Sequence, residues 1–182
     1  MPTGHIMMAM SLDGFVARKD HGLDWLTKQQ TSGEDHGFDA FQESVDVIVM
    51  GSGSFRTLLG FGEWAYTKPV VVLSRSMSEQ DIPERLAGKV EVSKLSPEGV
   101  MREFAVRGHE RTYVDGGAVI QSFFRAGLIG EMKVTIVPIL LGEGIRIFDT
   151  AVRDIDLQLL SAKPFPSGLV DLTYKVGIAS NA

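Results

Sequence analysis

The stretch Arg111-Thr-Tyr-Val-Asp115-Gly-Gly-Ala-Val-Ile120 decides the fold, because it has the pattern of a strand, a glycine turn and the start of a helix. Thr112 to Val114 favour a strand, and Gly116-Gly117 allow backbone angles that are closed to other residues. At a helix start the backbone N–H groups are unpaired and the helix dipole is positive, so an anion can bind there. The stretch therefore indicates a phosphate-binding turn or, alternatively, an ordinary strand-to-helix turn.

The residues after this turn continue as a helix and then as a strand. Gly127 and Gly130 end the helix, and the chain re-enters the sheet until Pro138, which ends regular pairing. Met132, Val134 and Ile136 alternate on one face of that strand. The helix has an apolar face that packs on the sheet, formed at helical spacing by Val119, Ile120, Phe123, Phe124 and Leu128.

Two earlier strands end in glycine or serine. Val47 to Met50 is a continuous apolar run, typical of a strand buried on both faces, and Gly51-Ser-Gly-Ser54 follows it. Ser52 and Ser54 can cap the next helix or donate to a phosphate. Val70 to Leu73 is a second buried strand that ends in Ser74-Arg-Ser76, where Arg75 could grip a phosphate or be an ordinary surface arginine.

The N-terminal part of the chain has the pattern of a strand followed by a long loop. Gly4 to Ser11 is an apolar strand that leads into a turn at Asp13-Gly14. Residues 18–36 are polar and form a surface loop, in which Trp25 is the largest apolar side chain. Trp25 either pins this loop to the core or covers a pocket.

A short amphipathic helix is predicted between Asp35 and Val45, with Phe38, Phe41 and Val45 on its core face. Asp35, Asp39 and Gln42 form a polar stripe beside that face. One of the two aspartates could lie partly buried at the border of a cleft, with a raised pKa and a proton to deliver. The alternative is a solvated helix face.

The remaining segments complete a βαβ pattern. Val90 to Ser93 is a short strand, and Ser96-Pro97 begins a helix. Two final strands are predicted at Asp156 to Lys163 and Leu169 to Ile178, and the alternation in the last one is expected of an antiparallel strand.

Composition favours one domain over residues 1–182, with 44% hydrophobic residues and no cysteine. The net charge of −5 and the pI near 5.4 predict no nucleic-acid or membrane-surface partner. The four histidines show no metal-ligand spacing. No apolar run approaches the roughly 20 residues of a membrane span, so we expect a soluble, unprocessed, cytoplasmic protein.

The order of these motifs, Ser11-Leu-Asp-Gly14, Gly51-Ser-Gly-Ser54, Leu73-Ser-Arg-Ser76 and Asp115-Gly-Gly-Ala-Val-Ile120, resembles the dihydrofolate reductase-like fold. The similarity extends from about Gly4 to Val176. Pro138 to Phe148 is similar to the branch that contains the reductase domain of riboflavin biosynthesis. The resemblance implies an α/β fold of three layers, with a central, mostly parallel sheet, an antiparallel C-terminal strand and flanking helices.

The resemblance also implies NADPH as the cofactor. The family pattern has an arginine where this chain has Ser52, so a preference for the 2′-phosphate rests mostly on Arg75. The pattern implies that Ala9 and Val16 lie by the nicotinamide. It implies that the pyrophosphate is held by Gly51 to Ser54 together with Gly116, Gly117, Ala118, Val119 and Ile120, and the adenosine end by Leu73, Ser74, Arg75 and Ser76.

On the substrate side, the resemblance implies that Thr135 supports a catalytic carboxylate, which would be Asp35 or Asp39. Asp13, Trp25 and Phe38 are the candidate substrate contacts. The implied reaction is hydride transfer to a C=N or C=O carbon of a small pyrimidine-like, pterin-like or carbonyl compound, with a nearby acid or water supplying the proton.

Two other classes of protein compete with this interpretation. One is a non-catalytic nucleotide-binding module of the same fold. The other is a doubly wound nucleotide-binding domain, but that fold expects a GxGxxG after the first strand, and Met10-Ser-Leu-Asp-Gly-Phe15 does not supply it. The resemblance and the apolar segments 139–142 and 145–148 predict a homodimer.

Overall fold

A central sheet of eight strands organises the protein. The computed structural model describes residues 1–148 and 154–177. In chain order the strands of this sheet are β1 (Thr3–Ser11), β3 (Val47–Gly51), β4 (Val70–Leu73), β5 (Val90–Ser93), β6 (Arg111–Asp115), β7 (Ile129–Val137), β9 (Leu157–Pro164) and β10 (Val170–Val176). Their order across the sheet is β5-β4-β3-β6-β1-β7-β10-β9.

The strand directions confirm the predicted fold class. The first six strands in this order, from β5 to β7, pair in parallel with their neighbours. Strand β10 pairs antiparallel with β7 and with β9. Parallel strands require covered faces, which explains why the runs in β3 and β4 are apolar throughout. Ile48 and Val49 are both fully buried although they point to opposite faces.

Helices on both faces make the three layers. They are α1 (Asp24–Thr27), α2 (Phe38–Glu43), α3 (Ser52–Gly60), α4 (Pro97–Val106) and α5 (Gly117–Arg125). Phe104 of α4 and Phe123 of α5 belong to the core on one face, together with Val49. Phe55 of α3 and Phe41 of α2 belong to the core on the other face, together with Ile48.

A second, two-stranded sheet was not predicted. It pairs β2 (Phe15–Ala17) antiparallel with β8 (Ile145–Arg146). Strands of two or three residues are too short to show a period in the sequence. This pairing brings the segment after the Asp13-Gly14 turn against the 140–148 segment.

The helix predicted between Asp35 and Val45 is shorter than expected. Gly37 precedes it with a φ of 75°, and the Asp35 carboxylate accepts the Gly37 N–H at 2.7 Å, which is a local turn rather than a helical bond. Gln42, predicted in the polar stripe, is buried, and Phe38, predicted on the core face, is 37% exposed. Val45 is fully buried and Phe41 packs against the core as predicted, so the pattern was right at two of its three core positions.

The C-terminal strands agree with the prediction to within about a residue, except that the predicted end at Ile178 lies outside the described residues. Within residues 1–148 and 154–177, no helix is long and apolar enough to cross a membrane. The same part of the chain contains no group of three acidic or histidine side chains arranged to hold a metal ion.

Candidate active site

A cavity of about 820 Å³ opens at the carboxyl ends of the parallel strands β3, β4, β6 and β1. This edge of a parallel sheet is where ligand sites form in α/β proteins. Most of the residues that the sequence assigned to a cofactor meet there. They are Val16, Gly51, Ser52, Ser54, Leu73, Ser74, Arg75, Gly116, Gly117, Ala118 and Val119.

The starts of α3 and α5 both face this cavity. Gly51 and Gly116 are the residues that precede the two helices, and neither helix start has a side chain bonded to its free N–H groups. Ser52 and Ser54 therefore do not cap α3. The free N–H groups and the positive ends of two helix dipoles make this part of the cavity suitable for a pyrophosphate.

Steric constraints show why glycines stand at these positions. Gly116 has a φ of 87°, and a Cβ there would collide with Ser54 Oγ. A Cβ on Gly51 would lie 3.2 Å from Val119 Cγ2, so the two helix starts pack directly on one another. A Cβ on Gly117 would lie 3.0 Å from the Arg146 carbonyl oxygen, so packing against β8 already demands glycine at this position. Glycines at these positions therefore allow the two helix starts and β8 to pack closely at the wall of the cavity.

Cationic side chains lie at one end of the cavity. Arg75 follows β4 and Lys94 follows β5, and both line the cavity with Ser74. The Ser74 hydroxyl accepts the N–H of Met77 at 3.1 Å, which shapes the turn that presents Arg75. An arginine and a lysine on two neighbouring loops that contain serines are suitable ligands for a phosphate such as the 2′-phosphate of NADPH.

A buried acid lies towards the middle of the sheet. Asp115 ends β6, lines the cavity and is 9% exposed. The Tyr66 hydroxyl donates to its carboxylate at 3.4 Å. The single proton of the Tyr113 hydroxyl is shared between the Met7 carbonyl at 3.0 Å and the Asp115 carboxylate at 3.4 Å. Burial raises the pKa of Asp115 to about 6, although the hydrogen bonds to its carboxylate oppose that rise. This side chain can hold a proton near neutral pH.

The predicted proton donors do not lie in the cavity. Asp35 and Asp39 are both exposed and neither lines it, so the expected partial burial is wrong. Three residues of the predicted cofactor set also do not line it. Ala9 packs with the Trp25 cluster while its neighbour Met8 lines the cavity, Ser76 is exposed beside Ser74, and Ile120 is fully buried in the core.

The candidate substrate contacts have structural roles instead. The Asp13 carboxylate accepts the Ser11 hydroxyl at 2.6 Å and the Gly142 N–H at 2.7 Å, and the first of these bonds contributes most to lowering its pKa to about 2. Trp25 is fully buried with Val137 and Leu169, which supports its reading as an anchor of the loop. Phe38 lies at the surface and does not line the cavity.

Thr135 does support a carboxylate, but the carboxylate is Asp171. The two residues are direct partners across β7 and β10, and the Thr135 hydroxyl donates to Asp171 at 2.7 Å. His36 Nδ1 lies 2.9 Å from the same oxygen, and Lys133 Nζ lies 2.8 Å from the other. None of these residues lines the cavity.

This cluster around Asp171 ties the 31–37 loop to the C-terminal hairpin. Burial alone would raise the pKa of Asp171, but hydrogen bonds from Lys133, Thr135 and His36 outweigh it and lower the pKa. Glu34 strengthens the same connection by accepting the N–H and hydroxyl of Ser167 at 2.8 and 2.7 Å. Because the Asp171 oxygens are occupied by donors from the chain itself, this carboxylate stabilises the fold and does not face the cavity.

Four cavity residues with functional side chains were not among the predicted site residues. Asp115 lies within the 111–120 stretch that decides the fold, yet nothing local in the sequence shows that Tyr66 and Tyr113 bury it. Lys94 follows a strand end, as Arg75 does, and this repetition is a signal that could have identified it. His21 and Tyr66 come from irregular segments, where the sequence carries no period.

Comparison with known proteins identifies the family and supports the fold. The family model described as the RibD C-terminal domain matches residues 2–170. A structure of a Shewanella sp. PV-4 protein named for riboflavin biosynthesis is 34% identical, has a TM-score of 0.90, and is matched over 96% of this chain and 99% of that one. The uncharacterized protein YyaP of Bacillus subtilis strain 168 is 26% identical over 92% of this chain and 91% of its own length.

A more distant structure shares the fold alone. It is the diaminohydroxyphosphoribosylaminopyrimidine deaminase/5-amino-6-(5-phosphoribosylamino)uracil reductase of Thermotoga maritima, with a TM-score of 0.70 at 14% identity. The match covers 96% of this chain and 56% of that protein.

The Asp171 cluster generates a prediction about stability. Asp171→Asn should lower the free energy of unfolding by about 2–3 kcal/mol, because Lys133 and His36 would lose a buried ionic partner. The matched control is Asp24→Asn, which removes an exposed pair with Arg18 at 2.6 Å and should lower stability much less, because solvent screens exposed ion pairs. Urea unfolding of both variants measures the difference, and equal losses would contradict a structural role for Asp171.

Proposed function

The chain belongs to the RibD C-terminal domain family, and from this membership we propose that it is an NADPH-dependent reductase. Its substrate would be a small pyrimidine-like, pterin-like or carbonyl compound that accepts a hydride. The observation that supports the proposal most strongly is the pair of uncapped helix starts, opened by Gly51 and Gly116, beside a buried acid in one cavity.

The residues of the cavity suit distinct parts of this cofactor. The starts of α3 and α5 would hold the pyrophosphate, and Arg75 and Lys94 would hold the 2′-phosphate. Val16 of β2 and Met8 of β1 would flank the nicotinamide on apolar surface. The bound cofactor supplies a hydride from C4 of its nicotinamide ring.

Asp115 would supply the proton. Its raised pKa keeps a fraction of the carboxyl protonated near neutral pH, and Tyr66 and Tyr113 fix the position of its oxygens. The substrate atom that gains electron density on hydride addition would take this proton, and solvent would return one to Asp115 afterwards. Asp115 thus replaces the exposed Asp35 and Asp39 in this role.

A non-catalytic nucleotide-binding module is the alternative. Ser52 favours it slightly, because the resemblance implies an arginine at this position. Oxidation of NADPH that depends on an added acceptor would separate the two functions, since a binding module would bind NADPH without turnover. Substitutions of Arg75 and Lys94 test cofactor binding, and substitution of Asp115 tests proton delivery.

The cationic end of the cavity predicts a preference for NADPH over NADH. Arg75→Ala and Lys94→Ala should each weaken NADPH binding about 10-fold, because a charge-assisted bond to phosphate is worth about 1.5–3 kcal/mol. NADH affinity should change less than about 2-fold. Arg85→Ala, an exposed arginine outside the cavity, controls for net charge. Calorimetric titration with both nucleotides measures the effect, and equal losses for NADPH and NADH would place Arg75 and Lys94 away from the 2′-phosphate.

The second prediction concerns Asp115→Asn. Turnover should fall about 100-fold while NADPH affinity is retained, because the variant cannot donate the proton. The wild-type rate should fall as pH rises through about 6, where the acid ionises. Since the folded-state pKa exceeds the ordinary value of 3.8, the protonated carboxyl's contribution to stability is lost as pH rises from about 3.8 to about 6, and the loss is complete above that range.

Asp115→Asn should therefore raise the free energy of unfolding at pH 8, by up to about 3 kcal/mol for a shift of about two pKa units. A variant with lower activity and lower stability would indicate a structural defect rather than loss of the proton donor. A variant with normal turnover across pH 5 to 9 would exclude Asp115 from proton delivery.

We also propose that the protein is a homodimer that pairs through β9. This strand is at the end of the sheet order, and within the described parts of the chain no further strand pairs with its outer edge. Leu157, Leu159 and Leu160 are 44–54% exposed on it. A free edge with apolar side chains favours pairing with a second copy about a two-fold axis. In the segments that the sequence predicted at the interface, Ile147 is buried and Ile139 packs near Trp25, whereas Leu140 and Phe148 are exposed.

Sedimentation at micromolar concentration tests this proposal. The wild type should sediment as a dimer, and Leu159→Lys should shift it to a monomer by placing a charge on the shared edge. Val106→Lys, on an exposed position of α4, should have no effect. A monomeric wild type would contradict the dimer.

A further inference from the structure

The cavity is chemically divided. The part formed by the helix starts and the ends of β4 and β5 is polar and cationic. A second, apolar part of the lining consists of Leu23, Leu58, Phe61 and Tyr66. Tyr66 donates to Asp115, and Leu58 packs in the same core cluster as Tyr66. If the polar part takes the dinucleotide, as the proposed function requires, the apolar part is left for the substrate.

The positions of the charged groups fix what this substrate part can bind. Among the described residues that line the cavity, the ionisable side chains other than tyrosine are His21, Arg75, Lys94 and Asp115. Arg75 and Lys94 follow β4 and β5, which are at least two strand spacings, or about 10 Å, from β6 and Asp115. They therefore serve the far end of the dinucleotide.

His21 also belongs to the dinucleotide part. A Cβ on Gly53 would lie 3.0 Å from His21 Cε1, so the imidazole packs on the first turn of α3. The turn that holds it is well fixed, because Arg18 N–H donates to the Gly22 carbonyl and the Arg18 guanidinium pairs with Asp24. His21 is also the only non-glycine residue in the described chain with a positive φ, at 67°. Its ring is thus directed to the pyrophosphate cradle.

Among the described residues that line the cavity, no cationic side chain remains for the substrate part. Besides Tyr66, its one ionisable group is the carboxyl of Asp115. An anionic substrate would lose its hydration against Leu58 and Phe61 and would be repelled whenever Asp115 ionises. A planar uncharged body would instead gain apolar contact, at about 25 cal/mol for each Å² buried. Phe61 is 58% exposed at the mouth and gains the most from a ring laid against it.

We infer that the substrate is an uncharged, planar carbonyl or imine compound and not a sugar phosphate. This differs from the phosphoribosyl compound in the name of the Thermotoga maritima structural relative. The carbonyl or imine carbon forms a new C–H bond with the hydride, and the π pair moves to the oxygen or nitrogen. That atom takes the Asp115 proton, so the substrate is reduced by two electrons and the nicotinamide is oxidised.

Matched pairs of probes test the inference on the full chain saturated with NADP⁺. The first pair is 4-nitrobenzaldehyde and 4-carboxybenzaldehyde, which share a shape and differ in charge. The second pair is 5-amino-6-(5-phosphoribosylamino)uracil and its dephosphorylated riboside. Equilibrium dialysis gives affinities without turnover, and NADPH oxidation then gives rates. The uncharged aldehyde should bind at least about 10-fold more tightly than the carboxylated one, and removal of the phosphate should not weaken the uracil compound.

A variant that introduces a positive charge sharpens the test. Leu58→Lys should reduce affinity for 4-nitrobenzaldehyde and raise it for 4-carboxybenzaldehyde, because it supplies the missing cation. Leu140→Lys, at a 69% exposed position away from the cavity, should change neither. Both variants should keep the wild-type affinity for NADPH.

The outcomes separate this inference from the proposed function. Tighter binding of the phosphorylated uracil compound than of its riboside, equal affinities for the two aldehydes, or no binding of either aldehyde would overturn the substrate class while leaving a reductase. Failure of the wild type to bind NADPH would overturn the proposed function itself.

Discussion

The close approach of two helix starts at the carboxyl edge of the sheet is the constraint on which the site depends. It is possible because Gly116, at a φ of 87°, leaves room for Ser54 Oγ, and because Gly51 leaves room for Val119. The two sets of free N–H groups then face one cavity. Any side chain at Gly116 would strain the backbone and separate the helix starts, so the cradle and the local fold are a single arrangement.

The strand order distributes different chemistry along that edge. The outer strands β4 and β5 end in Arg75 and Lys94, which suit an anion, whereas the inner strand β6 ends in a buried acid. Burial of Asp115 lowers the stability of the protein at any pH at which its carboxyl is ionised. The same burial raises its pKa and lets it hold a proton near neutral pH. The Asp171 cluster, two strands away from β1, is the opposite case. Thr135 and His36 contact one oxygen of its carboxylate and Lys133 pairs with the other, so the ionised form is stabilised.

Local patterns predicted what depends on local geometry. Glycine turns, buried apolar runs and the alternation of the last strand placed the sheet and the helix starts, whereas the residues expected to hold the cofactor came from the family resemblance. Features set by distant contacts were missed. Asp115 is buried by Tyr66, which lies 49 positions away, and Thr135 meets Asp171 only through antiparallel pairing. The prediction that Asp35 or Asp39 is partly buried was wrong because the helix begins only after Gly37, and both side chains lie on the exposed surface.

Titration of the protein with NADPH, followed by competition with adenosine 2′,5′-bisphosphate, tests the central claim most directly. The structure predicts one NADPH site per chain, because one cavity contains both helix starts. It also predicts that the bisphosphate displaces the cofactor competitively, because Arg75 and Lys94 face the same cavity as the cradle. Absence of NADPH binding, or binding that the bisphosphate does not affect, would contradict the assignment of this cavity.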